Sequence, residues 1–507
     1  MAPARAGIKI VLFLVVAVAM CGFYWPYVYR WPRADDFFLI DWFHQFGTGD
    51  ISVQGLLNLS VNNHPVGALA ISAVGLFTLF GPDLRILLAL QFLALLSSAA
   101  LPAIALRRET GIWIFALLPL LAFHPMQTTH LLWAFELCWA TITFCLVVSL
   151  LLLEIWGVTG LALAIIPCIV AMLSSAHGSA VPVVLAIQSL TLPGLARIKR
   201  ISWAAAFVVI FVAGRLLLPG GDRPIQVHVS DFFELIGYAV QMVGATFGSR
   251  NPALLWTLGL ISLMVCFVSL VLAAKQPSQR TFRVCALLIL ASTAFVSLFT
   301  IGRYQYGVPW ALSHFHIAPL FVPYWLGMGA LALANLRSKQ ISTMIVGAAS
   351  LALLLGSWIG SSLDGFWRAR ESYAFRALSM ERACRGGQPD YLLAGLSALG
   401  PNVGIIHASW PILKTLCAKD IPAAAAAFDL PASYIGDGFR TLWNVYSYRG
   451  DLRAAFPVDD PATPCRLARW SAHDAATGSN YEPRILRPFA TELTNHDAIA
   501  RICRATP

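Results

Sequence analysis

Charge is what this chain has least of. Only 12% of its 507 residues are Asp, Glu, Lys or Arg, against 58% hydrophobic, and the mean hydropathy is +0.71. A soluble domain carries about 25% charged residues, so a water-soluble globular protein of this length is excluded. No Cys-x-x-Cys pair and no His/Cys spacing of the zinc type occurs, so nothing points to a structural metal. The net charge of +10 comes without a basic stripe carrying interleaved aromatics, and no nucleic-acid partner follows from it. Repeats of solenoid period are missing, as are the inverted pairs of broken helices found in many transporters. The first apolar run is too long for a secretory signal. No small-x-small cleavage site follows it, and Met20 before Cys21 does not suit lipoprotein processing. That run reads as an uncleaved first helix, with Arg5 and Lys9 held in the cytoplasm.

What the chain has in abundance is apolar runs near twenty residues long, the mark of a polytopic helical membrane protein. The runs predict about eleven crossings: 8–29, 85–108, 111–123, 131–153, 159–174, 180–195, 201–218, 253–274, a helix ending at Ile301, 317–335 and 342–363. The stretch 65–80 is barely long enough to span and is read as interfacial or re-entrant. Otherwise Arg107 and Arg108 would face outward, against the orientation rule. A second interfacial helix is expected within 219–251. With this count the basic short loops (Arg107-Arg108, the RIKR segment at 197–200, KQPSQRTFR and RSKQ) all fall inside. The longer loops bearing Asp, Glu and His all fall outside.

From Asp364 onward no spanning run remains. Residues 1–363 are therefore read as a transmembrane domain and 364–507 as a soluble tail, which an odd number of crossings places outside. Its four cysteines, Cys384, Cys417, Cys465 and Cys503, make an even set suited to disulfides in an oxidising compartment, with three pairings open. Cys21, Cys138, Cys145, Cys168, Cys266 and Cys285 lie in apolar helices and read as small packing residues.

The polar residues gather in the first outer loop, Arg30 to His64, which carries Asp35-Asp36, Asp41, His44, Asp50 and His64. An acidic pair just past a membrane helix lies at the water interface, where a base can meet an acceptor hydroxyl while a lipid-borne donor enters from the side. The plainer reading is that the pair caps an interfacial helix. Two adjacent carboxylates resist ionising together, which tends to raise the apparent pKa of one. Asp41 and His44 follow at near-helical spacing, and Asp41 is a reserve for a second acidic role. Arg303 opens a later outer loop with Tyr304, Tyr306 and Trp310, which also suits interface anchoring. His314 and His316, two residues apart, share a face only on an extended segment. His64 precedes Pro65, a favoured first-turn residue, and either reaches a ligand or starts the next helix. Glu136 and Arg215 lie in or near apolar spans and read as paired or rim charges. His124, His130 and His177 read as polar loop groups.

The order of these pieces resembles the GT-C glycosyltransferases, and most nearly their protein O-mannosyltransferase and aminoarabinose-transferase branch with its uncharacterised bacterial relatives. The matching pieces are Asp35-Asp36, His64-Pro65, the FGPDLR turn with Arg85, and Gly302-Arg303. The chain departs from that pattern at Val66, where a second proline is usual, at Asn63, where an acidic residue is frequent, and at Ser313-His314-Phe315. The resemblance spans roughly residues 8–363. It implies an all-α GT-C-like membrane domain in a bacterial inner membrane, with the N-terminus cytoplasmic and the tail periplasmic. It also implies transfer of a sugar from a polyprenyl-phosphate donor to a glycan, lipid or protein acceptor. Asp35 or Asp36 would be the base, and His64, Arg85, Arg303, His314 and His316 would bind substrate. No cofactor or metal is expected. A transporter or flippase and a non-catalytic assembly factor are the competing classes; polar groups crowded on one side favour one-sided chemistry over transport.

Overall fold

The long apolar runs fold as helices because lipid offers no partner for an open backbone hydrogen bond. The computed structural model describes residues 2–28, 32, 35–61, 64–193, 195–218, 231–249, 251–275, 279–303, 318–386, 409–415, 417 and 465. In chain order its helices are α1 (Ala2–Tyr24), α2 (Asp36–Thr48), α3 (Val53–Leu57), α4 (Gly67–Phe80), α5 (Leu84–Thr110), α6 (Ile114–Ala122), α7 (Thr128–Leu131), α8 (Leu137–Ser174), α9 (Ala180–Thr191), α10 (Arg197–Leu217), α11 (Phe232–Ala245), α12 (Pro252–Ala274), α13 (Gln279–Arg303), α14 (Val322–Leu336) and α15 (Ile341–Gly386). A short helix also covers 409–415. Two two-residue strands, β1 (Ser60–Val61) and β2 (His64–Pro65), pair antiparallel.

Among the described residues eight helices are long and apolar enough to cross a membrane: Gly7–Tyr27, Leu84–Thr110, Ala134–Ser174, Arg197–Leu217, Pro252–Ala274, Arg280–Ile301, Ala318–Leu336 and Ile341–Ser362. The described residues are thus those of a helical, multi-pass membrane protein. The stretch Gly67–Phe80 has 14 residues, about 21 Å of helix against a hydrocarbon core of about 30 Å. The amphipathic segment expected within 219–251 corresponds to α11, also too short to be counted among the eight.

Contacts divide the chain into two units. The first comprises 1–28, 51–75 and 85–369; the second comprises 29–50, 76–84 and 370–507. Within the first unit, 83% of the apolar stretch at Ala318–Leu336 is buried, against 11% for those of α1 and α10. α14 is therefore central, and α1 and α10 carry bare apolar faces, with Val15, Val18, Leu216 and Leu217 exposed. Such faces suit contact with lipid.

The helical run Ala134–Ser174 is 41 residues long, about 60 Å if straight, or twice the hydrocarbon thickness. It is not straight. Gly157 sits at φ 57°, ψ −120°, a region open to glycine and costly to other residues. Three residues on, a Cβ at Gly160 would meet the Leu152 carbonyl oxygen at 1.9 Å. Residues 152 and 160 are about 12 Å apart along a straight helix, so the chain turns back on itself at Gly157.

A buried ion pair ties helices of this unit together. Arg283 of α13 grips Glu154 of α8 in a fork, Nε to Oε1 at 3.1 Å and Nη2 to Oε2 at 2.9 Å. The two side chains are 14% and 2% exposed. Gln188 of α9 donates to the Leu150 carbonyl at 3.0 Å and reaches Glu154 Oε1 at 3.4 Å.

The second unit holds α2, the end of α4 and the C-terminal residues. The first two turns of α2 are buried at Asp36, Phe37, Leu39, Ile40, Asp41 and Trp42, and Phe43 meets Phe77 edge-on at 5.7 Å. The Ser409 hydroxyl donates to the Phe37 carbonyl at 3.4 Å. Cys384 and Cys417 form a disulfide with Cα atoms 5.5 Å apart, and Cys465 is disulfide-bonded as well. α15 continues unbroken past residue 364, where the composition turns polar, and the contact units divide only after Ala369. Residues 366–385 hold five Arg, four Ala and two Glu with no Pro or Gly. They can extend a helix as well as the apolar stretch before them.

Candidate functional site

The acidic pair lies at the start of α2. Asp35 holds the N-cap position with helical dihedrals, φ −67° and ψ −9°, and its side chain makes no capping hydrogen bond. The following turn is held through backbone, Phe38 N–H donating to the Asp35 carbonyl at 3.0 Å. Asp36 sits in the first helical turn and is 1% exposed. A carboxylate there meets the positive end of the helix dipole, a favourable place for negative charge. One turn on, Asp41 is buried and accepts from Gln45 Nε2 at 2.8 Å. Burial raises the Asp41 carboxyl above its ordinary pKa, opposed by the Gln45 hydrogen bond and the nearby His44. The α2 helix closes at Gly49 in the left-handed conformation, whose N–H bonds back to Phe46 O. The cap reading of the pair is thus half met: the position is a cap, but Asp35 does not act as one.

The other described candidate residues belong to the first unit. Strand pairing opposite Val61 fixes His64, and the Val66 N–H to Leu59 O bond of 3.0 Å extends the turn. The His64 ring stacks on His177 at 5.4 Å, and His177 in turn packs on Trp139 at 4.6 Å. Near the start of α8, His130 Nδ1 and Glu136 Oε2 approach to 3.1 Å, both side chains almost wholly buried. The two atoms are not aligned as a hydrogen bond. Gln91 Nε2 donates to the His130 carbonyl at 2.9 Å. Glu136 thus has the His130 ring as a near neighbour. Arg215 is exposed in the last turn of α10, where a cation suits the helix dipole.

Arg85 falls in the first turn of α5, half-buried, directly after the Gly81–Asp83 turn. Arg303 is the last residue of α13. His314 and His316 lie outside the described residues. Among the described residues no three His, Cys, Asp or Glu side chains group closely enough to hold a metal ion.

His124 is a fastener. Met126 N–H donates to its Nδ1 at 3.3 Å, so that nitrogen carries no proton. Nε2 therefore bears the hydrogen and meets Ser357 Oγ at 3.1 Å, and Ser357 passes its own hydrogen to the Leu354 carbonyl at 2.8 Å. The ring lies flat on Trp325, centroids 4.0 Å apart. Burial pushes its pKa down to about 3.

Two features escaped the sequence reading. Glu154, the one acidic residue of the run from 137 to 174, was a signal in itself, since a charge on an apolar helix usually has a partner. Its partner, 129 residues away, has no local signal. The His64–His177 stack joins two loops each read as independently polar. Comparison with known protein families, curated proteins and solved structures gives no match.

Proposed function

We propose that the chain is an integral-membrane glycosyltransferase of GT-C type. It moves a sugar from a polyprenyl-phosphate carrier to an acceptor hydroxyl on the outer face of a bacterial inner membrane. The carrying observation is the acidic pair: Asp36 is 1% exposed in the first turn of α2, behind an Asp35 that makes no side-chain cap. A helix-stabilising aspartate is ordinarily a solvated cap residue, so a buried one asks for a further role. In the proposed reaction one of the two carboxylates takes the acceptor O–H proton as general base. The acceptor oxygen bonds to the anomeric carbon, the bond from that carbon to the phosphate oxygen breaks, and the electron pair leaves with the polyprenyl phosphate. Arg303 would grip that phosphate as a bidentate guanidinium. Arg85, at a helix start whose amides also favour anions, and His64, His314 and His316 would complete the headgroup contacts. The carrier tail would lie against the apolar helices.

The disulfide between Cys384 and Cys417 supports an outer, oxidising location for the C-terminal residues. The basic connections at Arg107-Arg108, 197–200, 275–283 and 337–339 support a cytoplasmic location for those loops. The test compares lipid-linked sugars and surface glycans in cells with and without the gene, and with Asp35→Asn, Asp36→Asn or both. The double variant is expected to lose about 10²–10⁴-fold in transfer rate while still inserting in the membrane. Wild-type glycans in the double variant would remove the base assignment and with it the enzyme reading.

A further inference from the structure

We propose that residues 409–417 are a disulfide-tethered strut that positions α2, with Ser409 as the positioning residue and the Cys384–Cys417 bridge as the tether. The inference rests on Asp35 and Asp36 being the reactive pair, and it names what holds their helix in place. Ser409, Leu413 and Cys417 follow one another at four-residue intervals, so they line one stripe of a short helix. Ser409 and Leu413 are both fully buried. At one end of the stripe the Ser409 hydroxyl donates to the Phe37 carbonyl, one residue past Asp36. At the other, Cys417 is bonded to Cys384 in the last turn of α15, and its sulfur lies 3.9 Å from the Leu413 carbonyl. A helix of two turns does not persist alone in water. This one is fixed by what it touches, α2 at its start and α15 at its end.

Opening the bridge takes two electrons and two protons from a dithiol, which leaves as its own disulfide while Cys384 and Cys417 become thiols. The stripe then has one anchor in place of two, and α2 loosens.

The test is amide hydrogen exchange on the full chain in lipid nanodiscs, read without substrate. In Cys384→Ser/Cys417→Ser, amides 37–43 are expected to exchange at least about tenfold faster while α13 and α14 keep wild-type rates. Ser409→Ala should do the same more weakly, and Ser409→Thr, which keeps the hydroxyl, should restore protection. In transfer assays Ser409→Ala should lower kcat and leave the donor KM unchanged. Should the cysteine variant not fold, dithiothreitol added to the folded wild type and Leu413→Ala give the same reading. Wild-type exchange in α2 after the bridge is opened overturns the strut. So does acceleration spread equally over α13 and α14, which would make the bridge a general staple. Loosening of α2 in a wild-type protein that transfers no sugar leaves the strut standing and removes the glycosyltransferase reading instead.

Discussion

The hydrogen bonds of His124 leave its ring no site for a second proton. Nδ1 accepts from Met126, and Nε2 faces a Ser357 hydroxyl already committed to Leu354. Its folded pKa of about 3 lies below the unfolded value of about 6.5. The unfolded chain therefore binds the extra proton between those values. The contribution is complete above pH ~6.5 and is lost as pH falls toward 3. Thermal unfolding in detergent should show wild type losing stability over that window, and a His124→Gln variant should show a flatter profile there. The Glu154–Arg283 fork makes a second prediction. Glu154→Gln or Arg283→Met alone should cost about 3–5 kcal/mol by leaving a buried charge, while Glu154→Leu with Arg283→Leu should recover most of it. Denaturation of the three variants side by side measures both. At this scale the sequence identified which residues carry charge but not their partners. Glu136 and His130 were readable as polar groups near one another in the chain. The Arg283 partner of Glu154 and the His177 face against His64 arise from long-range packing that no local pattern encodes.

Helix existence was legible and helix ends were not. Apolar runs near twenty residues declare themselves, because lipid leaves the backbone no alternative. The reversal at Gly157 was also legible, as the break between two runs expected at 131–153 and 159–174. The overrun of α15 was not: a polar composition marks where a helix leaves an apolar setting, and residues 366–385 change polarity without changing helix propensity. The reversal yields its own prediction. Gly157→Ala, forced to positive φ, should cost about 1–2 kcal/mol. Gly160→Ala should cost about 1–3 kcal/mol, since its Cβ has no room beside Leu152. Gly75→Ala, where a Cβ meets nothing within 4 Å, is the control and should unfold like wild type.

For the whole molecule the open quantity is parity. Eight passes, one for each long apolar helix, would return the chain to the side it started from. The about eleven crossings expected from the sequence, an odd number, would deliver Cys384 and Cys417 to the opposite side. Cysteine labelling and reporter fusions should place 107–111, 197–200, 275–283 and 337–340 on the N-terminal side and 409–417 across the membrane. Finding 409–417 on the N-terminal side would return the count to an even number. The acidic cluster of the first loop stood out in the sequence because charge is so scarce elsewhere in the chain. What α2 leans on was not, since Ser409 lies 372 residues from its partner.

The Glu154 clasp also imposes a timetable on biogenesis. Gln188 follows Glu154 by 34 residues and Arg283 by 129. At a synthesis rate of about 5–20 residues per second, the carboxylate is made roughly 6–26 s before its guanidinium exists. During that interval the amide of Gln188 is the partner on hand, a chaperone within the chain itself, and a nascent protein stalled before residue 283 would expose an unneutralised acid to the insertion machinery.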